Sequence, residues 1–282
     1  YHWYKRETAQ HDLTLFSLDF DKLNHTTHTF DSIMNANPAL YVSMRDQFVP
    51  SLSYSFTYQS RSWRTNPWWV QLAFKEAGNI TSAIYAAAGQ KFNKKNKELF
   101  GNPFAQYVKF TAEAHKLFKL TKDINIATRV FGGIIYSYGN SNSAPYVDQF
   151  YVGGANSVRA FTVRSLGPGS YRPVNSKYSY MDQTGDVKLE ANAELRARLI
   201  GDLHGAIFLD AGNVWTLRND PMRPGSQITT STIKHIALGT GAGLRYDLNF
   251  LVLRFDVGIA LHAPYQTAKS GFYNIERFKD GL

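Results

Sequence analysis

The sequence contains no cysteine among its 282 residues, which excludes a disulfide framework and a thiolate metal site. No run of about 18 apolar residues occurs either, so the chain offers no candidate for a transmembrane helix. The opening residues, YHWYKRETAQHD, lack the apolar stretch of a signal peptide. HExxH, GxSxG and P-loop motifs are missing, and GTGAG at 239–243 lacks the lysine of a phosphate loop. We therefore expect no enzymatic activity, no metal and no cofactor.

The charged residues are numerous but dispersed. The chain carries 31 Lys and Arg against 22 Asp and Glu, a formal net charge of +9. Its basic residues form neither an arm nor a recognition helix, so nucleic acid is not expected as a partner. The longest basic cluster, Lys91 to Lys97, is typical of a solvated turn or helix surface.

The dominant pattern is an alternation of apolar and polar residues with a period of two. It is cleanest from Asp186 to Leu199, where no apolar residue falls on the polar face. A helix would distribute such side chains around its circumference, whereas a strand separates them onto two faces. The apolar row, which we expect to contact lipid, includes Leu189, Ala191, Ala193, Leu195 and Ala197.

Similar alternation predicts about nine strands, several of them about 9–14 residues long, which is long enough to cross a bilayer when tilted. A soluble sandwich is the other interpretation, but its strands are usually shorter, with turns every ~8–12 residues. The pattern favours an all-β fold, a transmembrane antiparallel β-barrel. The predicted strands lie near 13–20, 48–58, 67–76, 104–118, 124–136, 186–199, 203–215, 233–246 and 250–261.

The predicted connections alternate between short and long. Those from Leu199 to Leu203 and from Tyr246 to Phe250 are tight, whereas Ser137 to Gly185 and Thr216 to Ser231 are long. In outer-membrane barrels short turns are periplasmic and long loops are extracellular. About nine strands would leave an unpaired edge in lipid, so either strands are missing from the prediction or the chain is part of a larger barrel. The alanine-rich segment from Ile80 to Gln90 has helical character and no assigned place.

Aromatic residues make up 15% of the chain, and aromatic girdles at membrane interfaces are one use for them. Several lie near predicted strand ends, where we expect interfacial belts. These residues are Tyr54, Tyr58, Trp68, Trp69, Trp215 and Tyr246.

One segment, YVGGANSVRAFTVRSLGPGSY from Tyr151 to Tyr171, interrupts the alternation. Its paired glycines permit unusual backbone dihedrals or close approach, and LGPG is a strong turn signal. Val158 and Phe161 need cover from water, and a loop that folds inward would provide it. Arg159 between them would then need an acidic partner, although a solvated loop arginine is the simpler alternative.

Two acids have the parity to meet Arg159. Glu194 lies on the polar face of the following strand. Asp210, in IFLDAGNVW, lies opposite an apolar row that contains Ile207 and Leu209. An arginine fork held by two carboxylates in a partly desolvated lumen would be a strong and directional anchor.

At these residues the chain resembles the BamA/TamA family of outer-membrane assembly barrels, the surface-antigen barrels. GGANSVRAF followed by LGPG is similar to the family's lumenal-loop signature, and ELRARL and FLDAGNVW resemble the two strands that follow it. The three motifs occur in the family's order, and the resemblance covers roughly Ser51 to Leu282. It is strongest to the TamA-like lipoprotein branch of Bacteroides-type bacteria. The matching loop positions are Gly153, Gly154, Asn156, Ser157, Val158, Arg159, Ala160, Phe161, Gly167 and Pro168.

The resemblance implies a sixteen-stranded barrel preceded by periplasmic POTRA domains, with a long loop folded into the lumen. Residues 1–282 would be the C-terminal part of that barrel, and the POTRA domains, the first strands and the last strand, which follows FKDGL, would lie outside this chain. Arg159 would meet Glu194 and Asp210 on the barrel wall. Ala160 replaces the family's usual glycine, and a positive φ at that position would strain an alanine.

The resemblance also implies a function in the cell outer membrane. The barrel would insert or export outer-membrane proteins by pairing an incoming strand at a lateral seam, which is a form of β-augmentation. Expected partners are nascent outer-membrane proteins, membrane lipids, and periplasmic or lipoprotein subunits of an assembly complex. A passive outer-membrane pore and a soluble all-β binding module are the alternatives, and a BamA-type role is not separated from a TamA-type role.

Overall fold

The computed structural model describes residues 1–21, 25–36, 44, 46–61, 64–173, 183–248, 250–267 and 271–272, so the FKDGL sequence at 278–282 lies outside the described residues. The chain divides into two compact units. The first comprises residues 1–57, 71–111 and 133–149, and the second comprises 58–70, 112–132 and 150–282. Among the described residues, no helix is both long enough and apolar enough to cross a membrane.

Strands predominate in both units. The elements in chain order are β1 (His2–Tyr4), β2 (Ala9–Asp21), α1 (His28–Ala36), β3 (Gln47–Gln59), β4 (Trp68–Ala77), α2 (Asn79–Ala87), β5 (Glu98–Leu99), β6 (Asn102–Pro103), β7 (Tyr107–Lys119), β8 (Ile124–Ser137), β9 (Val187–Ile200), β10 (Leu203–Trp215), β11 (Ala237–Asp247) and β12 (Val252–His262).

The first unit has the strand order β1-β2-β3-β4-β7-β8, with β5 and β6 paired separately. Antiparallel pairing of β1 with β2 places His2 opposite Asp12 and Tyr4 opposite Gln10. Between β4 and α2 the chain turns at Gly78, whose φ is 70°. A Cβ at this position would lie 2.2 Å from the carbonyl oxygen of Ala105, so the turn requires glycine.

The second unit has the strand order β7-β8-β9-β10-β11-β12. The last four strands form an antiparallel meander, in which each strand pairs with the next along the chain. In the registers of this meander, Glu194 lies opposite Phe208 and Asp210 lies opposite Gly239. Inward-facing side chains of consecutive strands therefore lie next to one another.

Burial in the meander is the reverse of that in a soluble protein. The charged side chains of Glu194, Asp210 and Arg245 are buried, whereas Leu195 and Ile207 are exposed. Soluble proteins rarely bury such charges and usually cover an apolar row this continuous. An apolar outer face with a polar inner face is the pattern of a transmembrane β-barrel wall. The predicted two-faced strand at 186–199 is present as β9, with its apolar row outward.

Several predicted boundaries were wrong. The strands predicted to start near 13, 104 and 233 begin at Ala9, Tyr107 and Ala237, and β1, β5, β6 and α1 were not predicted. The alternation of apolar and polar residues continues on the N-terminal side of β11. Residues 233–236 nevertheless form turns, in which, for example, His235 N donates to the carbonyl oxygen of Thr232 at 3.0 Å. The segment from Ile80 to Gln90 is largely the helix α2.

Two side chains are buried where the sequence predicted exposure. Lys97 is covered, and its Nζ donates to Ser82 Oγ at 2.7 Å, so it is not part of a solvated surface. Trp215 is fully buried, and its Nε1 donates to the carbonyl oxygen of Thr232. Loop residues cover this strand end, which removes Trp215 from the predicted interfacial belt. Trp68 and Tyr246 are exposed, as an interfacial position requires.

We expect single cysteines along β9 to react with a lipid-phase label at alternate positions. The chain has no native cysteine, so each introduced thiol reports its own site. Cysteines at Leu189, Ala191, Ala193 and Leu195 should be labelled, and those at Glu190 and Asn192 should not, because alternate side chains point to opposite faces. Uniform labelling, or labelling of the polar row alone, would contradict a lipid-facing assignment.

Candidate functional site: the Arg159 loop and its strand wall

The Arg159 loop, residues 151–171, is held together by hydrogen bonds within the loop itself. Gly153 N donates to Ser157 Oγ at 3.0 Å, and Gly154 N donates to the carbonyl oxygen of Phe161 at 2.8 Å. The φ of Gly153 is 104°, and a Cβ there would lie 2.1 Å from the carbonyl oxygen of Thr162. The glycine pair thus permits a close crossing of the chain. Val158 and Phe161, for which the sequence predicted cover, are both buried.

Arg159 extends from this loop onto β9 and β10. Its Nε and Nη2 donate to the two carboxylate oxygens of Asp210, each at 2.8 Å, and its backbone N donates to Oδ2 at 3.1 Å. Its Nη1 donates to Glu194 Oε2. The guanidinium carbon lies 3.6 Å from the ring centroid of Phe208. The Asp210 side chain is 0% exposed and that of Arg159 is 7% exposed, so this bidentate pair is shielded from water.

Glu194 accepts hydrogen bonds from two further arginines. Arg245 Nη2, on β11, donates to Oε2 at 2.9 Å, and Arg196 Nε, on β9, donates to Oε1 at 2.8 Å. Arg245 Nη1 in turn lies 2.6 Å from Asp256 on β12. The fork is therefore part of a charge network that connects the loop to β9, β10, β11 and β12. Buried charges in such a network are retained because each has opposite charges as neighbours.

A second contact anchors the loop near Ser157. Ser157 Oγ donates to Glu190 Oε2 at 2.8 Å, and Asn192 Nδ2 donates to the carbonyl oxygen of Ser157 at 2.8 Å. Glu190 also accepts from Arg129 Nη1 on β8 at 2.5 Å and lies 2.8 Å from Lys188 Nζ. This contact extends the docked surface to β8.

The two glycines opposite the loop provide space for its backbone. A Cβ on Gly258 would lie 2.9 Å from Ala160 Cα and 3.0 Å from the carbonyl oxygen of Arg159. A Cβ on Gly239 would lie 2.7 Å from Ala160 Cβ. Ala160 is not among the described non-glycine residues with positive φ, so the condition under which alanine would be strained there is not met. Gly239, from the GTGAG sequence, makes room for the Ala160 side chain.

The remaining motif residues hold the two flanks of the loop. Asn156 Oδ1 accepts from Arg254 Nη2 at 3.0 Å. Gly167 lies so close to β10 that a Cβ would meet Asn213 Oδ1 at 2.6 Å. Asn213 Nδ2 donates to the carbonyl oxygen of Gly169 at 2.9 Å, and the Pro168 carbonyl accepts from the backbone N of Tyr171. The LGPG turn is thus fastened to the end of β10.

Sequence reasoning missed Glu190, Arg245, Phe208 and Gly258 as parts of this site. Glu190 and Arg245 had the same inward parity as Glu194, which was a usable signal, but parity alone does not choose among many inward residues. Beside the loop lies a cavity of about 400 Å³, lined by Glu113, Arg129, Arg196 and Arg254 among others. The charged side chains that line this cavity form ion pairs with one another and with the strand wall. Such a lining is suited to binding the Arg159 loop.

The fold and site together define a class: membrane β-barrels with a polar inner wall on which a loop is docked through an arginine fork. The chain matches the model of the Omp85 superfamily domain over residues 17–279, and it therefore belongs to this superfamily. The predicted membership of the BamA/TamA family is confirmed, and so is a transmembrane β-barrel of the outer membrane. The assignment to a Bacteroides-type branch stays a prediction.

Two curated proteins are similar in sequence. The outer membrane protein assembly factor BamA of Neisseria meningitidis is 32% identical over 115 residues, which is 39% of this chain and 14% of that protein. The sorting and assembly machinery component 50 homolog A of Xenopus laevis is 31% identical over 172 residues, which is 56% of this chain and 36% of that protein. The matched regions thus span much less than the full length of these relatives.

Two solved structures share the fold. BamA from Haemophilus ducreyi lacking POTRA domains 1–3 superposes with a TM-score of 0.61 and 16% identity, covering 95% of this chain and 50% of that one. CdiB from Escherichia coli gives a TM-score of 0.56 and 15% identity, covering 93% and 40%. At these identities the likeness concerns the fold alone.

Proposed function

We propose that this chain forms the barrel of an outer-membrane machine that inserts or exports outer-membrane proteins. The curated relatives are an outer membrane protein assembly factor and a sorting and assembly component, which supports a role in assembly or translocation. The observation that carries the proposal is the Arg159 fork on Asp210 and Glu194. The same three residues form the anchor that the family signature implies.

The docked loop gives the inner wall a rigid section. Because the network joins the loop to four consecutive strands, β9 to β12, their registers are held by side-chain contacts as well as by backbone pairing. When a barrel opens at a seam, it exposes unpaired backbone groups that an incoming strand can bind. A section such as this one would hold the rest of the wall together while the seam is open. In this mechanism the client is templated by strand pairing at the seam, without covalent chemistry. Nascent outer-membrane proteins and assembly-complex subunits are the proposed partners.

The test is client folding in liposomes that contain the full-length protein carrying this chain. A urea-unfolded outer-membrane protein is added, and its folded fraction is followed by its heat-modifiable mobility on a gel. We expect faster folding than in empty liposomes. Ion conductance without acceleration of client folding would overturn the proposal and favour a passive pore. The domain arrangement, with POTRA domains before this barrel, stays a prediction.

A further inference from the structure

The C-terminal end of β4 and the N-terminal end of β7 present two different polar clusters in the first unit. One is centred on Asp148. Lys75 Nζ donates to Asp148 Oδ1 at 3.1 Å, and Tyr107 OH donates to Oδ2 at 2.6 Å. Lys109 Nζ donates to the Asp148 carbonyl oxygen at 2.7 Å. Tyr107 and Lys109 are two residues apart on β7 and so share one face of the sheet, and Lys75 of the neighbouring β4 contacts the same aspartate.

The other cluster is centred on Asn79, the first residue of α2. Its Oδ1 accepts from Tyr138 OH at 2.7 Å and from Gln106 Nε2 at 3.3 Å, and its backbone N donates to Glu76 Oε2 at 3.2 Å. Glu76 and Gln106 directly neighbour Lys75 and Tyr107, so they point to the opposite face.

This opposite face is the apolar, lipid-facing one. Exposed residues with the same strand parity as Glu76, Gln106 and Tyr138 include Leu72 and Phe74 on β4, Phe110 on β7, and Ile134 and Tyr136 on β8. Glu76 and Gln106 are nevertheless buried. The chain from Gly78 to Pro103, which we name the rim segment, therefore packs against the lipid side of the strand ends.

Further contacts hold the rim segment in this position. The buried Lys97 donates its backbone N to Asn140 Oδ1 at 2.7 Å, and Asn140 Nδ2 donates back to the Lys97 carbonyl oxygen at 2.8 Å. Phe100 packs edge-on against Phe48 of β3, with 5.8 Å between ring centroids, and Phe48 stacks on Phe20 of β2 at 4.5 Å. The rim segment is thus continuous with the aromatic surface of the apolar face.

The rim segment exposes an apolar helix face away from the strands. Asn79 and Ser82 point toward the strand ends, since Ser82 is fully buried and accepts from Lys97 Nζ. At 3.6 residues per turn, Ile80 and Ile84 lie on the opposite side of α2. They are 51% and 65% exposed. A soluble surface gains nothing from such a pair, but a lipid boundary would bury it.

Basic side chains follow this helix directly. Lys91, Lys94 and Lys95 are all exposed in the turn after α2. Apolar residues beside a group of lysines are the combination that binds an anionic membrane surface, with the apolar groups at the acyl boundary and the ammonium groups on phosphates.

We propose that the rim segment is a lipid-binding collar: Ile80 and Ile84 enter the headgroup boundary of the bilayer, and Lys91, Lys94 and Lys95 bind lipid phosphate groups. The continuity with the lipid-facing strand surface and the charge complementarity select a phosphate-bearing lipid surface as the occupant. The proposal rests on the outer-membrane location of the barrel and is independent of its role in assembly.

The test uses the full-length protein in liposomes, with a fluorophore on a single cysteine at Ile84. Quenching by headgroup-spin-labelled phosphatidylglycerol is compared with quenching by labelled phosphatidylcholine. We expect quenching by both lipids, with a preference for phosphatidylglycerol. Lys94→Gln with Lys95→Gln should lower that preference by roughly 25-fold at low ionic strength, since each lysine contributes a factor of about five. The matched control is Lys119→Gln with Lys122→Gln, at the turn after β7, which should leave it unchanged.

A fluorophore at the exposed Asn219 serves as the position control and should be quenched less than one at Ile84. An Ile84 fluorophore that neither lipid quenches would overturn the collar. So would a phosphatidylglycerol preference that survives the double Lys94 and Lys95 substitution. Self-quenching that rises with the protein-to-lipid ratio would replace the lipid with a second copy of this chain as the occupant.

Discussion

Arg159→Ala should release the Arg159 loop from the strand wall and impair client assembly, while the barrel still forms. The substitution leaves Asp210 fully buried without its bidentate partner. Breaking such a pair typically costs ~3–5 kcal/mol, because the remaining charge is stranded. The backbone amides of residues 154 and 159 should then exchange with deuterium roughly two to four orders of magnitude faster, as a loss of ~3–5 kcal/mol implies. The strand ladder is built from backbone hydrogen bonds, so its protection should change little.

Arg159→Lys should restore only part of this loss, because lysine lacks the planar fork that meets both Asp210 oxygens. Arg164→Ala is the matched control, since Arg164 is an arginine of the same loop whose guanidinium lies over the Tyr151 ring. It should have a smaller effect on both exchange and client folding. Unchanged loop protection in Arg159→Ala would refute the anchor. Loss of strand protection as well would show that the network supports the whole meander.

Gly153→Ala should undock the loop without touching any charge. Two penalties act together at this position. A φ of 104° is strained for alanine, typically by about 1–3 kcal/mol. In addition, the new Cβ would lie 2.1 Å from the carbonyl oxygen of Thr162, and a backbone atom can move away only if the loop reopens. We expect faster cleavage of the loop by an added protease and slower client folding.

Gly201→Ala is the control that separates the backbone strain from the steric clash of the new Cβ. Gly201 also has a positive φ, 57°, but a Cβ there would meet nothing within 4 Å. This variant should therefore show the backbone strain alone, and the loop should keep its protease resistance. Equal effects of Gly153→Ala and Gly201→Ala on loop cleavage would contradict the requirement for a close crossing at Gly153.

Local periodicity was sufficient to predict much of the fold. The two faces of β9 follow from side-chain alternation, which depends only on the extended backbone of that strand. The same alternation predicts that the side chains of Glu194 and Asp210 point inward. It failed at strand ends, as at residues 233–236, because the backbone there forms local turn hydrogen bonds, which the side-chain pattern does not record. The role of the Arg159 loop in client assembly stays a prediction.

Alternation alone determined the two faces of β9 and the inward direction of Asp210 on β10, because successive side chains of an extended strand point to opposite faces. Only the tertiary structure decided which inward residues meet. Glu190 with Ser157, Arg245 with Glu194, and Gly258 beneath Ala160 depend on strand register and on the path of the loop. The position of α2 on the lipid side of the strand ends was equally invisible in the sequence. Such contacts join residues far apart along the chain, so no local pattern records them.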